Sequence, residues 1–292
     1  MLKNTFCHVP GISAMTEQRL WASGIECWEA FRASSAVPLS RKKKDSLARH
    51  IDESFESLEK NDPNYFAGLL PAMQHWRLFR DFKSSVAYLD IETTGLNYSD
   101  SITTIVVYDG RSIFHYVRDQ NLDDFREAIK KYSLIVTYNG KCFDVPFLER
   151  SFRIRMDQAH IDLRYVLKSL GYAGGLKGCE RQLGIDRKDL ADVDGFFAVL
   201  LWNDFIKNKN HQALETLLAY NTCDVVNLET LIVTAYNLKL RETPFGKSHR
   251  LDVPPPPPIP FRVDKETIDR LRRGGYGGQY YGGRYYGWGR AR

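Results

Sequence analysis

Two carboxylates one residue apart, Asp90 and Glu92, sit in a run of β-branched, aromatic and aliphatic residues that closes on Thr93, Thr94 and Gly95. Such a run predicts a strand ending in a turn. Alternation places Asp90 and Glu92 on one face of that strand and turns Leu89 and Ile91 the other way, into a core. Like charges about 7 Å apart repel and raise each other's pKa, a conflict that a divalent cation removes. Mg²⁺ and Mn²⁺ favour oxygen ligands of this kind. The plainer alternative is a solvated strand end with two surface acids. Residues farther along weigh against it.

A second strand-like run, Ile135 to Tyr138, ends at the turn dipeptide Asn139-Gly140, and Asp144 follows at a helix start with Pro146 in the first turn. Asp144 can cap that helix, an interaction of ~1 kcal/mol, and also serve as a third acid. A strongly helical stretch then carries Tyr220 and Asp224 at i and i+4, on a face that Leu217 and Leu228 turn toward the protein. An acid on such a face needs a partner or a metal; a Tyr–Asp hydrogen bond at a partly exposed edge is the alternative. Asp162, Asp192 and Asp194 read as helix caps, and His160 as structural. Cys142 and Cys223 read as small packing residues, since a hard cation has little use for thiolates.

Taken together, Asp90-x-Glu92, then Asn139…Phe143-Asp144, then Tyr220-x-x-x-Asp224 resembles the motif set of the DEDD (DnaQ-like, ribonuclease H-fold) 3′→5′ exonucleases. Tyrosine in the third motif, with His211 too far from Asp224 to form a His-x(4)-Asp pair, matches the tyrosine subclass. The segment from Gly175 to Gly184 is similar to the YprB-type ribonuclease H-like proteins. The resemblance implies a metal-dependent 3′→5′ exonuclease acting on single-stranded DNA or RNA ends. Asp90, Glu92, Asp144 and Asp224 would hold two divalent cations, Mg²⁺ or Mn²⁺, and Tyr220 would orient the attacking water. It further implies that Thr93 and Leu96 meet the terminal nucleotide, with Leu96 wedged against a base, and that Asn139 and Phe143 line the same cleft. Two other readings stand beside it: an endonuclease of ribonuclease H type, and a catalytically silent nucleic-acid-binding module.

The elements that must position these groups occupy residues 84–240. Strands are expected at 86–91, 102–108, 112–117 and 133–138, with a helix at 122–131 before the last of them. Helices follow at about 145–153, 162–170, 175–183, 195–207 and 211–234. The order is that of an α/β, ribonuclease H-like mixed β-sheet flanked by helices. Residues 1–83 read as a small N-terminal helical region. Its turn at Val9 to Ile12 feeds a helix from Ala14 to Ala22 that Gly24 stops, a pattern similar to the helix-hairpin-helix motif. A structural hairpin and a phosphate-contacting one both stay open. Ser40 is expected to cap a helix with a Leu47, Ile51, Phe55, Leu58 stripe, and four cations, Arg41 to Lys44, crowd its start. Residues 241–260 read as a Pro-rich linker and 261–292 as a basic Gly/Tyr/Arg-rich tail, expected to be disordered apart from a short helix after Asp264. Tyr and Arg on such a tail can stack on bases and meet phosphates.

Bulk properties narrow the class. The chain of 292 residues can bury a sizeable core, and its net charge of +5 resides in the tail, where 261–292 hold eight Lys/Arg against three Asp/Glu. Five scattered cysteines without CxxC spacing exclude a disulfide framework or a zinc ribbon and suit a reducing compartment. No run approaches the length of a membrane span, and a cytoplasmic location is expected.

Overall fold

Eight residues from Val86 to Thr93, nearly all β-branched, aromatic or aliphatic, form the central strand β1 of a five-stranded sheet. The computed structural model describes residues 1–97, 99–191 and 193–276. β2 (Ile102–Tyr108) pairs antiparallel with β1, and β3 (Ile113–Val117) antiparallel with β2. On the other side β4 (Leu134–Thr137) pairs parallel with β1, and β5 (Ala159–Asp162) parallel with β4. The strand order is therefore β3-β2-β1-β4-β5.

The helices, numbered along the chain, begin with α1 (Ala14–Ala22), α2 (Trp28–Ala33), α3 (Arg41–Glu59), α4 (Pro63–Leu69) and α5 (Phe79–Phe82). α6 (Phe125–Ala128), α7 (Asp144–Phe152), α8 (Leu163–Ser169) and α9 (Gly175–Gln182) are threaded through and after the sheet. α10 (Gly195–Asn208), α11 (His211–Leu240) and α12 (Lys265–Leu271) complete the set. Alternation along β1 sends Ala87, Leu89 and Ile91 into one core with Phe125, Ile135 and Leu148. Tyr88 goes to the opposite core, shared by Val106, Val136 and Ile161, by α8 and α11, and by N-terminal residues from Leu2 to Phe82. A third cluster joins α10, the first half of α11 and Ile268 of α12.

The N-terminal hairpin forms as the sequence predicts: Gly11 and Gly24 both take positive φ (85°), and Ser13 Oγ accepts the Thr16 N–H to cap α1. Glu17 is buried there, accepting from the Phe6 and Cys7 amides and from both Nη atoms of Arg77 at 3.0 and 2.8 Å. The acid thus closes the hairpin onto the chain at Arg77, which is the structural role for this turn.

Several expectations need correction. β5 escaped the sequence pattern because four residues, Ala-His-Ile-Asp, are too few to show alternation; Asp162 ends it and, as expected, caps α8. Ser40 stands at the N-cap of α3, but its side chain makes no capping hydrogen bond. Cys142 does not pack: it is exposed, its Sγ 3.7 Å from the Tyr165 hydroxyl. The short helix expected after Asp264 forms, and residues 261–271 fold back on the molecule. Phe261 meets the His115 ring edge-on at 5.1 Å, Ile268 is buried, and Arg270 pairs with Asp204. Pro256–Pro258, within the expected linker, line a cleft together with Ala219, Cys223 and Val226 of α11. Apolar residues between the prolines and α12 explain both, because they have α10 and α11 to cover. The tail from 277 onward and Asp192 lie outside the described residues. Among the described residues no helix is long and apolar enough to cross a membrane.

Candidate active site

β1 supplies the first two acids because its neighbours fix its pleat. Asp90 stands opposite Val106 and Glu92 opposite Thr104 of β2, and the register shifts between Glu92 and Thr93. α11 crosses this face of the sheet and brings Tyr220, Asn221 and Asp224 to it. Thr104 Oγ1 donates to Asn221 Oδ1 at 3.0 Å, and Asn221 Nδ2 donates to Asp90 Oδ2 at 2.7 Å. This chain of bonds ties β2, α11 and β1 together at the acids. Carboxylate oxygens of Asp90, Glu92 and Asp224 lie within 4.8 Å of one another. Asp90 is partly open to solvent, whereas Glu92 and Asp224 are buried.

Asp144 is the first residue of α7 rather than its N-cap, which is Phe143. It is buried, and its Oδ1 accepts the Ile91 N–H at 3.2 Å, between the two acids of β1 in sequence. It borders the three-carboxylate group without belonging to it.

Crowding leaves its mark on every acid. Burial and the charges of Asp144, Asp224 and Glu92 hold the Asp90 carboxyl well above its usual range, with Asn221 opposing. Glu92 is raised by burial and by Asp224 and Asp144, and eased by Lys177 and Arg187. Burial pushes Asp144 up to about 7, against the stabilising amides of its own residue and Ile91. Asp224 is raised by burial and held back by Arg187. Tyr220, buried beside Asp224, Glu92 and Asp90, has its phenol pushed far upward, so it is an O–H donor and not a phenolate.

The residues implied at the cleft are distributed as follows. Thr93 is buried at the end of β1, with its hydroxyl donating to the Gly95 carbonyl at 2.6 Å. Leu96 is 82% exposed, on a loop pinned by Asp100, which accepts from Thr94 Oγ1 and from the Asn97 amide. Asn139 takes a left-handed φ of 68°, its N–H donates to Asp162, and its Oδ1 is already taken by Arg164. Phe143 is partly buried, its ring 4.9 Å from that of Phe147.

Sequence reasoning missed a basic flank. Lys177 of α9 places Nζ 5.2 Å from the centre of the Tyr220 ring. Arg187, buried, pairs with both Glu180 and Asp224. Lys177 and Glu180 stand within the segment singled out at 175–184, but nothing local connects Arg187 to Asp224, 37 positions away. Asn221 was visible beside Tyr220 and gave no signal of its own.

Residues 87–236, just over half of the chain, match the family model described as the RNase_H superfamily. The chain belongs to the RNase H superfamily. It is 28% identical over 197 residues to the uncharacterized protein YprB of Bacillus subtilis strain 168. That match covers 57% of this chain and 46% of YprB, so the chain spans less than half of that relative's length. Among solved structures, the family B DNA polymerase of the hyperthermophilic archaeon Pyrobaculum calidifontis aligns with 53% of this chain and 29% of its own, at 15% identity and a TM-score of 0.34.

The RNase H domain carries a donor set that suits a divalent metal. Asp90, Glu92 and Asp224 offer oxygen atoms alone, drawn together from two elements although Asp224 raises the pKa of both Asp90 and Glu92. Cations would relieve that repulsion, and hard ones match carboxylate oxygen.

Proposed function

We propose that the chain is a 3′→5′ exonuclease that hydrolyses phosphodiester bonds at single-stranded DNA or RNA ends with two divalent cations, Mg²⁺ or Mn²⁺. The observation that carries this reading is the convergence of Asp90, Glu92 and Asp224 within 4.8 Å. Asp144 is the fourth acid, held beside them by the Ile91 amide. Bound cations supply Lewis acidity that makes a water nucleophilic near neutral pH and offsets charge on the phosphate and the leaving oxygen.

The protein's own groups do the rest. Asp90, Glu92, Asp144 and Asp224 would hold the cations, and Asn221 fixes the Asp90 carboxylate by donating to its Oδ2. Tyr220 keeps its proton, because burial and the neighbouring acids oppose a phenolate, so it orients the attacking water by hydrogen bonding. Leu96, large, apolar and exposed just beyond Thr93, is suited to pack on the base of a terminal nucleotide. Asn139 and Phe143, on the turn that leads into Asp144, flank the same end of the sheet.

The test is digestion of 5′-labelled single-stranded DNA and RNA with Mg²⁺ or Mn²⁺. Progressive shortening from the 3′ end, absent in EDTA, is expected. Cleavage of a circular or 3′-blocked strand would move the assignment to an endonuclease. Asp90→Ala and Asp224→Ala should abolish hydrolysis with the fold intact; metal-dependent cleavage surviving in either rejects the site.

A further inference from the structure

A guanidinium inside a protein needs its charge matched. Arg187, 7% exposed, turns back under α9, where Nη2 donates to Glu180 Oε1 at 3.0 Å and Nε donates to Glu180 Oε2. That fork already balances one cation with one carboxylate. Asn227, three residues beyond Asp224 on α11, donates from Nδ2 to the same Glu180 Oε1 at 2.8 Å. The Glu180–Arg187 pair is thereby fastened to α11 close to the acid. Nη1 of Arg187 is left to form an ion pair with Asp224 Oδ1. Asn227, Glu180, Arg187 and Asp224 form one connected line that ends at the acidic cluster.

The last contact is not needed to balance Arg187, and its benefit falls on Asp224. That carboxylate lies within 4.8 Å of those of Asp90 and Glu92, which repel it whenever they are ionised. Its backbone is fixed by α11, but its side-chain torsions are free to turn unless something grips the oxygens.

We propose that Arg187 is a positioning residue of the acidic cluster, holding the Asp224 carboxylate against its neighbours so that divalent cations can bind. The proposal rests on the reading of the cluster as a metal site. A purely structural ion pair predicts no change in cation affinity when both of its charges are replaced by neutral isosteres. A guanidinium that competes with cations for Asp224 predicts tighter binding once it is removed. A positioning role predicts the opposite sign.

The experiment is titration of the full-length, metal-stripped chain with Mn²⁺, read by the electron paramagnetic resonance of the free ion. It compares wild type, Arg187→Lys and the double variant E180Q/R187Q, with circular dichroism melts to show that each is folded. The double variant removes one buried positive and one buried negative charge together and leaves neither of that pair alone. Its Mn²⁺ dissociation constant is expected to rise by about 10–100-fold, the usual effect of losing a group that orients a metal ligand. Arg187→Lys should show a smaller loss, and it decides the matter if the double variant does not fold. Affinity unchanged or improved in a folded variant overturns the proposal while leaving the metal site standing. A wild-type chain that takes up no Mn²⁺ overturns both, and does so before any substitution is made.

Discussion

An ionised carboxylate in a protein interior is tolerated when something shares its charge, and the four acids here differ in what that is. Asp90 has Asn221, Asp144 has two backbone amides, Asp224 has Arg187, and Glu92 has the fields of Lys177 and Arg187. Asp144 lies at about 7 when folded and near the ordinary carboxylate value when unfolded, so between those limits the native state binds more protons. Its contribution to metal-free stability is therefore present at low pH and lost as pH rises through about 7. His8 and His160, buried neutral with pKa values lowered to about 3, act oppositely below the histidine range and are silent above it. Thermal unfolding in EDTA at pH 5–8 should thus show Asp144→Asn gaining on wild type as pH rises, by ~2–4 °C in melting temperature for each kcal/mol. A pH-independent difference would contradict the shift. Tyr220→Phe should slow single-turnover hydrolysis by roughly 10²-fold, and an unchanged rate would remove the hydroxyl from the mechanism. The acids were legible because residue type and strand or helix spacing define them locally. Arg187 was not, since its role depends on a contact made only when the segment after α9 meets α11.

At the scale of elements, β1 to β4 and α11 could be read from the chain because each is long or apolar enough to impose a period. β5 could not, and with it went the reason for Asp162, whose carboxylate accepts from the amides of Asn139, Lys141 and Arg164. That acid stitches the turn after β4 to the start of α8, and the turn leads directly to Asp144. Gly140 lies inside this stitch: a Cβ there would stand 2.3 Å from Thr137 Oγ1, the atom that accepts the Gly140 amide. Gly140→Ala should destabilise the fold by about 1–3 kcal/mol, as overpacking does, and lower kcat by displacing Asp144. Urea midpoints measure the first effect and single-turnover assays the second. A wild-type midpoint would mean that Thr137 moves aside at no cost.

The molecule as a whole is less divided than its sequence suggests. N-terminal residues pack into the same core as the sheet and the distal half of α11, where Trp76 meets Tyr236 edge-on at 5.5 Å. α12 is moored by Arg270 to Asp204 and by Thr267 to Asn210, with the basic residues from 277 onward following it. Ending the chain at Tyr276 should leave turnover at saturating substrate unchanged and raise KM at low salt, the difference fading as salt rises. If KM is equally insensitive to the truncation at every salt concentration, the segment does not bind substrate. What composition did not report is the apolar surface of α10 and α11 on which Phe261 and Ile268 settle.

One consequence follows from the thirty-residue length of α11. At 1.5 Å per residue it is a rod of about 45 Å, and Tyr220 and Asp224 lie well away from its fraying ends. Amide protons there should exchange with deuterium solely through complete unfolding. Protection should fall first elsewhere, at exposed positions such as Leu96 beyond the end of β1.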